Sequence, residues 1–428
     1  MEIVMRKISV DVLVIGGGSA GCFAAISAAR TGASVLLVEK NGMLGGTMTC
    51  GMVNFPGLFH AWGKRIVGGP AWESIEHCVE LRGAVLPPFP YKSAHHNQQQ
   101  ILVDIFTYTC VLDSMCLEAG VRLLFHSMPA TVTETQEGVE VTVATKDGLL
   151  CVTAKMLIDS TGDADAVRAA GYPCQTSDET QPATLINDLT GYDFFEIDET
   201  AFRRYIAECY ENGRLRKEDF QGHDAYERLR KKRIHMHVTA HSAHTSEGKT
   251  ILEIEARKTL LKILRCLSEF KGLEHIRVAK CGYECGVRET VRIVGEQEIT
   301  AAQYFAAEIR DDSVCHAFYP IDLHEGAGIQ QEFIEDGKVP CVYYGNLVPK
   351  GSKHILAAGR CLSSDRYANS ALRTQAACMA MGQVAGVSAA ICARSGYGVY
   401  EIPMDILKNA LREIGAIVPG DIQFPKNI

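Results

Sequence analysis

The stretch VDVLVIGGGSAGCFAAISAARTGASVLLVEK, residues 10–40, sets the architecture of the chain. Residues 10–15 form a largely apolar run of strand length, interrupted by Asp11. Gly16, Gly18 and Gly21 follow as G-x-G-x-x-G, with Ser19 and Ala20 inside the turn. Residues 22–30 are Ala-rich and favour a helix, Gly32 supplies a stop, and residues 35–38 form a second strand closing on Glu39 and Lys40. Gly16 permits the tight turn, Gly18 admits a pyrophosphate to the backbone, and Gly21 lets helix and strand pack closely. The helix start offers unpaired N–H groups and a positive dipole end to phosphate. Glu39, 18 residues beyond Gly21, is placed to accept hydrogen bonds from ribose hydroxyls. The spacing predicts an α/β, Rossmann-like dinucleotide-binding unit. A Gly-rich structural turn without a ligand is the plain alternative.

Leu44-Gly45-Gly46-Thr47 follows after a short loop. Residues 121–159 read as short strands, VRLLFHS, ATVTETQ, GVEVTVAT and LLCVTAKMLID, which predicts an antiparallel meander returning to a parallel strand at 156–159. MLIDSTGDADAVRAAG (156–171) carries the turn Thr161-Gly162-Asp163. HILAAGRCLSSDRYANSALRTQAACMAMGQVAG (354–386) reads as a strand, Gly359-Arg360, a loop, and a helix from about Ser370 to residue 393. The stretch 201–233 is charged and helical by pattern, and 253–267 has helical apolar spacing.

These segments resemble, in order, the glutathione-reductase-like flavoprotein superfamily. The GG-T element runs there beside pyrophosphate and flavin, the STGD turn follows a parallel strand, and the last block is similar to the flavin-contacting segment of the FAD-dependent oxidoreductase family. Fumarate reductase flavoproteins and thiazole synthases are relatives of that family. The matched segments cover roughly half the chain. The resemblance implies FAD, held by Gly16, Gly18, Ser19, Ala20, Gly21, Glu39, Lys40, Gly45, Gly46, Thr47, Ala130, Thr161, Gly162, Asp163, Gly359, Arg360, Ser370, Ala371 and Leu372. It implies a three-layer FAD-binding domain built from 1–62, 98–175 and 346–395. An inserted mixed α+β substrate domain spans 176–345, with 63–97 assignable to it, and 396–428 is a tail. The last helix would aim its N-terminus at the flavin's pyrimidine edge, where its dipole and Arg373 favour negative charge.

Two absences narrow the chemistry. Disulfide reductases of the superfamily carry a redox cysteine pair just after GG-T; here those positions are Met48 and Val53, and Cys50 stands alone. No second strand–GxGxxG–helix unit occurs, since Gly326-Ala327-Gly328 and Gly382/Gly386 lack that context.

On the substrate side, GVRETVRIVGEQEIT (286–300) resembles the family's G-x-R-x-x-x-R-x-x-G segment beside the active site. Arg288 and Arg292 would share a face in a helix or in a strand, and such a pair suits a carboxylate, a phosphate or an anionic reduced flavin. Ion pairing with Glu289 or Glu296 is the structural alternative. YPIDLHEGAG (319–328) resembles a D-x-H element returning toward the flavin. His324 is the expected base for a substrate hydroxyl, with a pKa near working pH and Asp322 as its orienting partner. A satisfied structural histidine is the alternative.

His235, His237, His241 and His244 form a cluster, but no cysteine or carboxylate completes a familiar metal spacing. No metal is expected, and the cluster reads as strand and loop near the substrate pocket. His95-His96 reads as loop, and Tyr91 and Tyr367 are further pocket candidates.

The 428 residues, 47% hydrophobic and 22% charged, exclude disordered and collagen-like classes and allow two or three domains. A net charge of −8 argues against nucleic acid as partner. Sixteen dispersed cysteines without CxxC fit a reducing cytoplasm, as small buried residues. The apolar start is followed by glycines rather than a cleavage site, so it reads as a strand. Residues 376–393 are interrupted by Gln383 and Ser388 and read as a buried helix rather than a membrane span. The expected activity is FAD-dependent hydride transfer with a small polar CH–OH or CH–NH substrate and an unspecified electron acceptor; an oligomer is compatible. Fumarate-reductase-type C=C reduction, thiazole-synthase-like dinucleotide processing and non-catalytic redox sensing by bound FAD are the alternatives.

Overall fold

Strand β1 (Arg6–Ile15) lies at the centre of a seven-stranded sheet in this computed structural model, which describes residues 6–89, 96–239, 242–325 and 328–424. Strands β2 (Val35–Val38) and β3 (Arg122–Leu124) extend the sheet in parallel on one side. Strands β4 (Met128–Glu134), β5 (Val139–Thr145) and β6 (Gly148–Asp159) form the meander, and β6 runs parallel to β1. The twelve-residue β6 is shared along its length: residues 148–154 pair antiparallel with β5, and residues 157–159 pair parallel with β7 (Ile355–Ala357). VRLLFHS, expected in the meander, supplies β3 instead. The helix Ile105–Glu118 precedes it and packs on the sheet, and such a crossover delivers a parallel strand.

Helix α1 (Ser19–Arg30) covers one sheet face together with the helix Gln375–Ser395. The two approach so closely that a Cβ on Gly386 would meet the Ala24 carbonyl oxygen at 2.2 Å. Gly386, without the dinucleotide-turn context, thus serves helix packing. Every residue from 376 to 393 is buried. That helix is long and apolar enough to cross a membrane, and its residues 376–393 lie inside the fold, with Arg394 and Ser395 at its exposed end.

The expected single helix from Ser370 is two helices, Arg366–Leu372 and Gln375–Ser395. Asp365 caps the first by accepting the Ala368 N–H at 2.7 Å, and Thr374 at ψ 146° breaks the run.

A second apolar cluster surrounds a three-stranded antiparallel sheet whose central strand, Ala183–Thr190, lies between Arg233–Val238 and Arg277–Cys281. The helices Glu199–Glu211 and Ser246–Ser268 contribute Phe202, Leu252 and Ile263 to it. Residues 299–345 are expected in this insertion, yet Tyr304, Val314, Tyr319 and Leu323 pack in the first core. So do Trp72 and Ile75 from the 63–97 segment, and Leu407 and Leu411 from the expected tail. The last pair sits four residues apart on the helix Met404–Glu413, which turns one apolar face inward. All cysteines except Cys110, Cys174 and Cys281 are buried, and all are free.

Candidate functional site

A cavity of about 1160 Å³ joins the β1–α1 turn to the D-x-H strand Ile321–Glu325. Its wall includes Gly16, Gly18, Ser19, Ala20, Glu39, Lys40, Gly46, Thr47, Thr161, Gly162, Asp163, Gly359, Arg360 and Ser370 from the expected cofactor set, and Arg288, Asp322 and His324 from the expected catalytic set. Sequence positions more than three hundred residues apart are thus brought to one space.

No side chain caps α1, so its first turn presents N–H groups to the cavity where a diphosphate would lie. Gly21 is not on the wall. Its task is contact: a Cβ there would stand 1.7 Å from the Gly16 carbonyl oxygen. Glu39 is buried, and its two oxygens accept the N–H groups of Gly17 at 2.6 Å and Asn41 at 2.8 Å. Burial raises its pKa despite those bonds. The fixed carboxylate retains lone pairs for ribose hydroxyls. An uncapped helix start beside this acceptor fits a dinucleotide such as FAD.

Gly45 also lies off the wall; its N–H donates to the Gly17 carbonyl at 2.8 Å and so sets Gly46 against Gly18. Ala130 is not on the wall either. The β4–β5 register shifts between Pro129 and Thr131, leaving Ala130 exposed, while Ser127, Met128 and Pro129 line the cavity. Ala371 and Leu372 are fully buried core residues of the short helix, and Thr374 and Gln375 take the wall positions expected of them.

Asp159 underlies the Thr161-Gly162-Asp163 turn, accepting the Thr161 N–H and hydroxyl on one oxygen and the Ala166 and Val167 N–H groups on the other. Arg360 touches the cavity but is committed to the protein, donating to Asp163, to the Gly162 carbonyl and to the Val287 carbonyl. Lys40 is held by Glu284 at 2.9 Å. Cys50 is buried, and burial and Glu284 raise its thiol to about 11, which keeps it out of dithiol chemistry.

The far end of the cavity is cationic. Arg288 and Arg292 do not share a face, because residues 286–290 are irregular. Arg292 pairs with Glu289 at 3.3 Å, and Glu289 also takes Arg366 at 3.1 Å. Arg288 instead donates to the Pro182 carbonyl at 2.6 Å and Thr184 Oγ1 at 2.7 Å and makes no ion pair among the described residues. Burial, then the Arg373 charge, push its pKa down to about 9. Arg373 donates to the Asp322 carbonyl at 3.1 Å and to Gln181 Oε1 at 3.3 Å. Its Nε is buried without a partner, and its nearest carboxylate oxygen, on Asp322, is 4.0 Å away.

His324 Nε2 lies 3.0 Å from Asp322 Oδ2, and its Nδ1 lies 3.2 Å from His237 Nε2. With Asp322 ionised, Nε2 carries the ring hydrogen and Nδ1 accepts from His237. Both nitrogens are therefore engaged, one by Asp322, the expected partner, and the other by His237. Burial lowers its pKa to about 4, against the opposing pull of Asp322. Burial would raise Asp322, but the His324 bond and the neighbouring cations hold it well below the usual carboxylate range. His235 and His244 line the cavity, whereas His237 is buried behind His324. His241, Tyr91 and His95 lie outside the described residues. Tyr367 is half exposed and off the wall. Among the described residues no three metal-ligating side chains converge.

These shifts have a common sign. An unfolded chain takes up protons near pH 6.5 that His324 refuses until about 4, so stability falls as pH drops through that window. His60 and His316, also lowered by burial to about 4, add to it. The unfolding free energy from urea titration is expected to fall between pH 7 and pH 5, by at most about 1.4 kcal/mol per pH unit per histidine. The slope should flatten in His324→Gln; an equal slope in both proteins contradicts the assignment.

A search of curated proteins gives no match. Solved structures with similar chain traces include a geranylgeranyl bacteriochlorophyll reductase-like protein from Thermoplasma acidophilum, at 14% identity and TM-score 0.45, covering 95% of this chain and 84% of that one. A p-nitrophenol 4-monooxygenase, PnpA of Pseudomonas putida, is 12% identical with TM-score 0.44, covering 95% and 84%. OxyS anhydrotetracycline hydroxylase of Streptomyces rimosus is 14% identical with TM-score 0.44, covering 95% and 69%. Residues 11–411 match the model of the FAD dependent oxidoreductase family. With that match spanning both ends of the cavity, the chain belongs to the FAD-dependent oxidoreductases and is a flavoenzyme whose cofactor is FAD.

Proposed function

We propose that the protein oxidises small anionic substrates at a carbon bearing a hydroxyl or amino group, passing hydride to FAD, on a fold of the glutathione-reductase-like kind. One observation carries this reading: Arg288 and Arg373 face the cavity, Arg288 makes no ion pair among the described residues, and Asp322 is the carboxylate nearest Arg373 there, with Glu289 acting on it from farther off. A carboxylate completes that balance and receives the planar donors of both guanidiniums.

FAD supplies the hydride acceptor. Arg288 and Arg373 hold the substrate carboxylate and so fix the adjacent carbon. Asp322 Oδ2 takes the O–H proton of a hydroxy substrate, with the His324 Nε2–H against it, and His237 keeps the imidazole in place, while an amino substrate reacts as the free amine and gives up no N–H proton. A weak base suffices there, since the O–H grows strongly acidic as hydride leaves its carbon. The roles expected for Asp322 and His324 are thereby exchanged.

Anaerobic mixing of the holoenzyme with small hydroxy and amino acids tests this reading. At least one acid is expected to bleach the visible flavin band, and its amide or neutral alcohol counterpart to do so at least about tenfold more slowly. Equal bleaching by neutral counterparts, or none by any acid, would remove the proposal.

A further inference from the structure

Another part of the cavity wall is formed by Gln221, His223, Arg228, Lys231 and His235. Arg228, on the short helix Ala225–Arg230, is only 8% exposed. Its Nη2 donates to Gln221 Oε1 at 3.3 Å, and its Nε is buried with no partner. The same Gln221 oxygen lies 3.2 Å from His235 Nδ1, and the His235 Nε2 is also buried and unpartnered. Among the described residues no carboxylate pairs with Arg228.

The acids on this wall are engaged elsewhere. Asp224 binds Arg203 and the N–H groups of Tyr226 and Glu227. Glu227 binds Arg230 at 2.6 Å, and Asp188 nearby faces Arg233 at 3.6 Å. A guanidinium shut from water without a counter-charge is costly, and its isolation points to a charge that arrives with a ligand. Burial, then Arg233, lower its pKa to about 10, in keeping with a site short of negative charge. The FAD diphosphate already has the open start of α1.

We propose that Arg228 binds a second negatively charged group of the substrate, so that the enzyme takes dianions, with one carboxylate at Arg288 and Arg373 and a carboxylate or phosphate at Arg228. This rests on the assignment of Arg288 and Arg373 to a substrate carboxylate. It adds a specificity-determining residue at the opposite end of the substrate.

The test is titration of the holoenzyme with matched probes, malate against lactate and phosphoglycolate against glycolate, reading the perturbation of the flavin spectrum. One dianion or both should bind at least about tenfold tighter than its monoanion, the effect of one added charge-assisted bond. The preferred pair tells carboxylate from phosphate. Arg228→Gln should abolish the preference while leaving monoanion affinity and FAD content unchanged. Arg228→Lys, a gentler change to the fold, should keep part of it. Equal affinity within both pairs in the unaltered enzyme overturns the dianion assignment alone. So does a preference that survives Arg228→Gln, or a loss of FAD in that variant with the preference intact. Silence from all four acids overturns this assignment together with that of Arg288 and Arg373.

Discussion

Protein carrying Gly21→Val is expected to purify colourless or nearly so. The new Cβ would stand 1.7 Å from the Gly16 carbonyl oxygen and 2.9 Å from its carbon, both backbone atoms. Gly16 cannot retreat: it sits at φ 96° with the Ser160 carbonyl close behind it. The clash is relieved only if α1 moves away from β1, which carries the helix's free N–H groups off the diphosphate position. The cost in stability is about 3 kcal/mol or more, at the upper end for overpacking a tight contact. The ratio of flavin to protein absorbance reads the first effect, and thermal unfolding reads the second. A variant with full flavin and an unchanged Tm would show that the helix–turn contact does not govern cofactor retention.

Arg288→Gln is expected to leave FAD bound and to lower kcat/KM for an acid substrate roughly a hundredfold, the scale of losing one positioned charge at a reacting centre. The argument turns on the contrast with Arg292. Arg292 is buried in a closed network with Glu289 and Arg366, so Arg292→Gln leaves the buried Glu289 with Arg366 as its remaining cation among the described residues and should lower stability. Arg288 has no such partner among the described residues, and its neighbours there are a carbonyl and a hydroxyl at the cavity wall. Anaerobic single-turnover reduction of the flavin separates the two. If both variants lose rate in proportion to lost stability, Arg288 is a structural residue and the anionic substrate loses its anchor.

The opening turn of the cofactor site is legible because its residues are close in sequence and their tasks are local, whereas the wall at 161–163 and 359–370 is legible only through the family resemblance. A strand, three glycines and a helix fix one another over 25 residues, and Glu39 follows at a distance set by strand length. Ala130, Ala371 and Leu372 failed for equally local reasons: a one-residue bulge in β4 and a helix broken at Thr374 each turned the wall over to neighbouring residues. The substrate half was less legible because its charges are neutralised, or left bare, by partners far away in sequence. Nothing in GVRETVR says that Glu289 belongs to Arg292 and Arg366 rather than to Arg288. Arg228 lies in a charged stretch that reads as an ordinary solvated helix, and only the folded chain shows that its acidic neighbours face other arginines. The resemblance of YPIDLHEGAG to a D-x-H element points to His324, but His237, which occupies its second nitrogen, comes from a different strand 87 residues away.

The sharing of β6 between β5 and β7 bears on how the enzyme is made. The first 160 residues can complete the phosphate cradle during synthesis, but β7 and the wall after it join only when Arg360 meets Asp163, 197 residues later. If the Gly359–Arg360 wall seats the flavin ring, as the family resemblance implies, a nascent chain halted before residue 360 binds no pigment, and flavin absorbance should appear only in chains that extend past it.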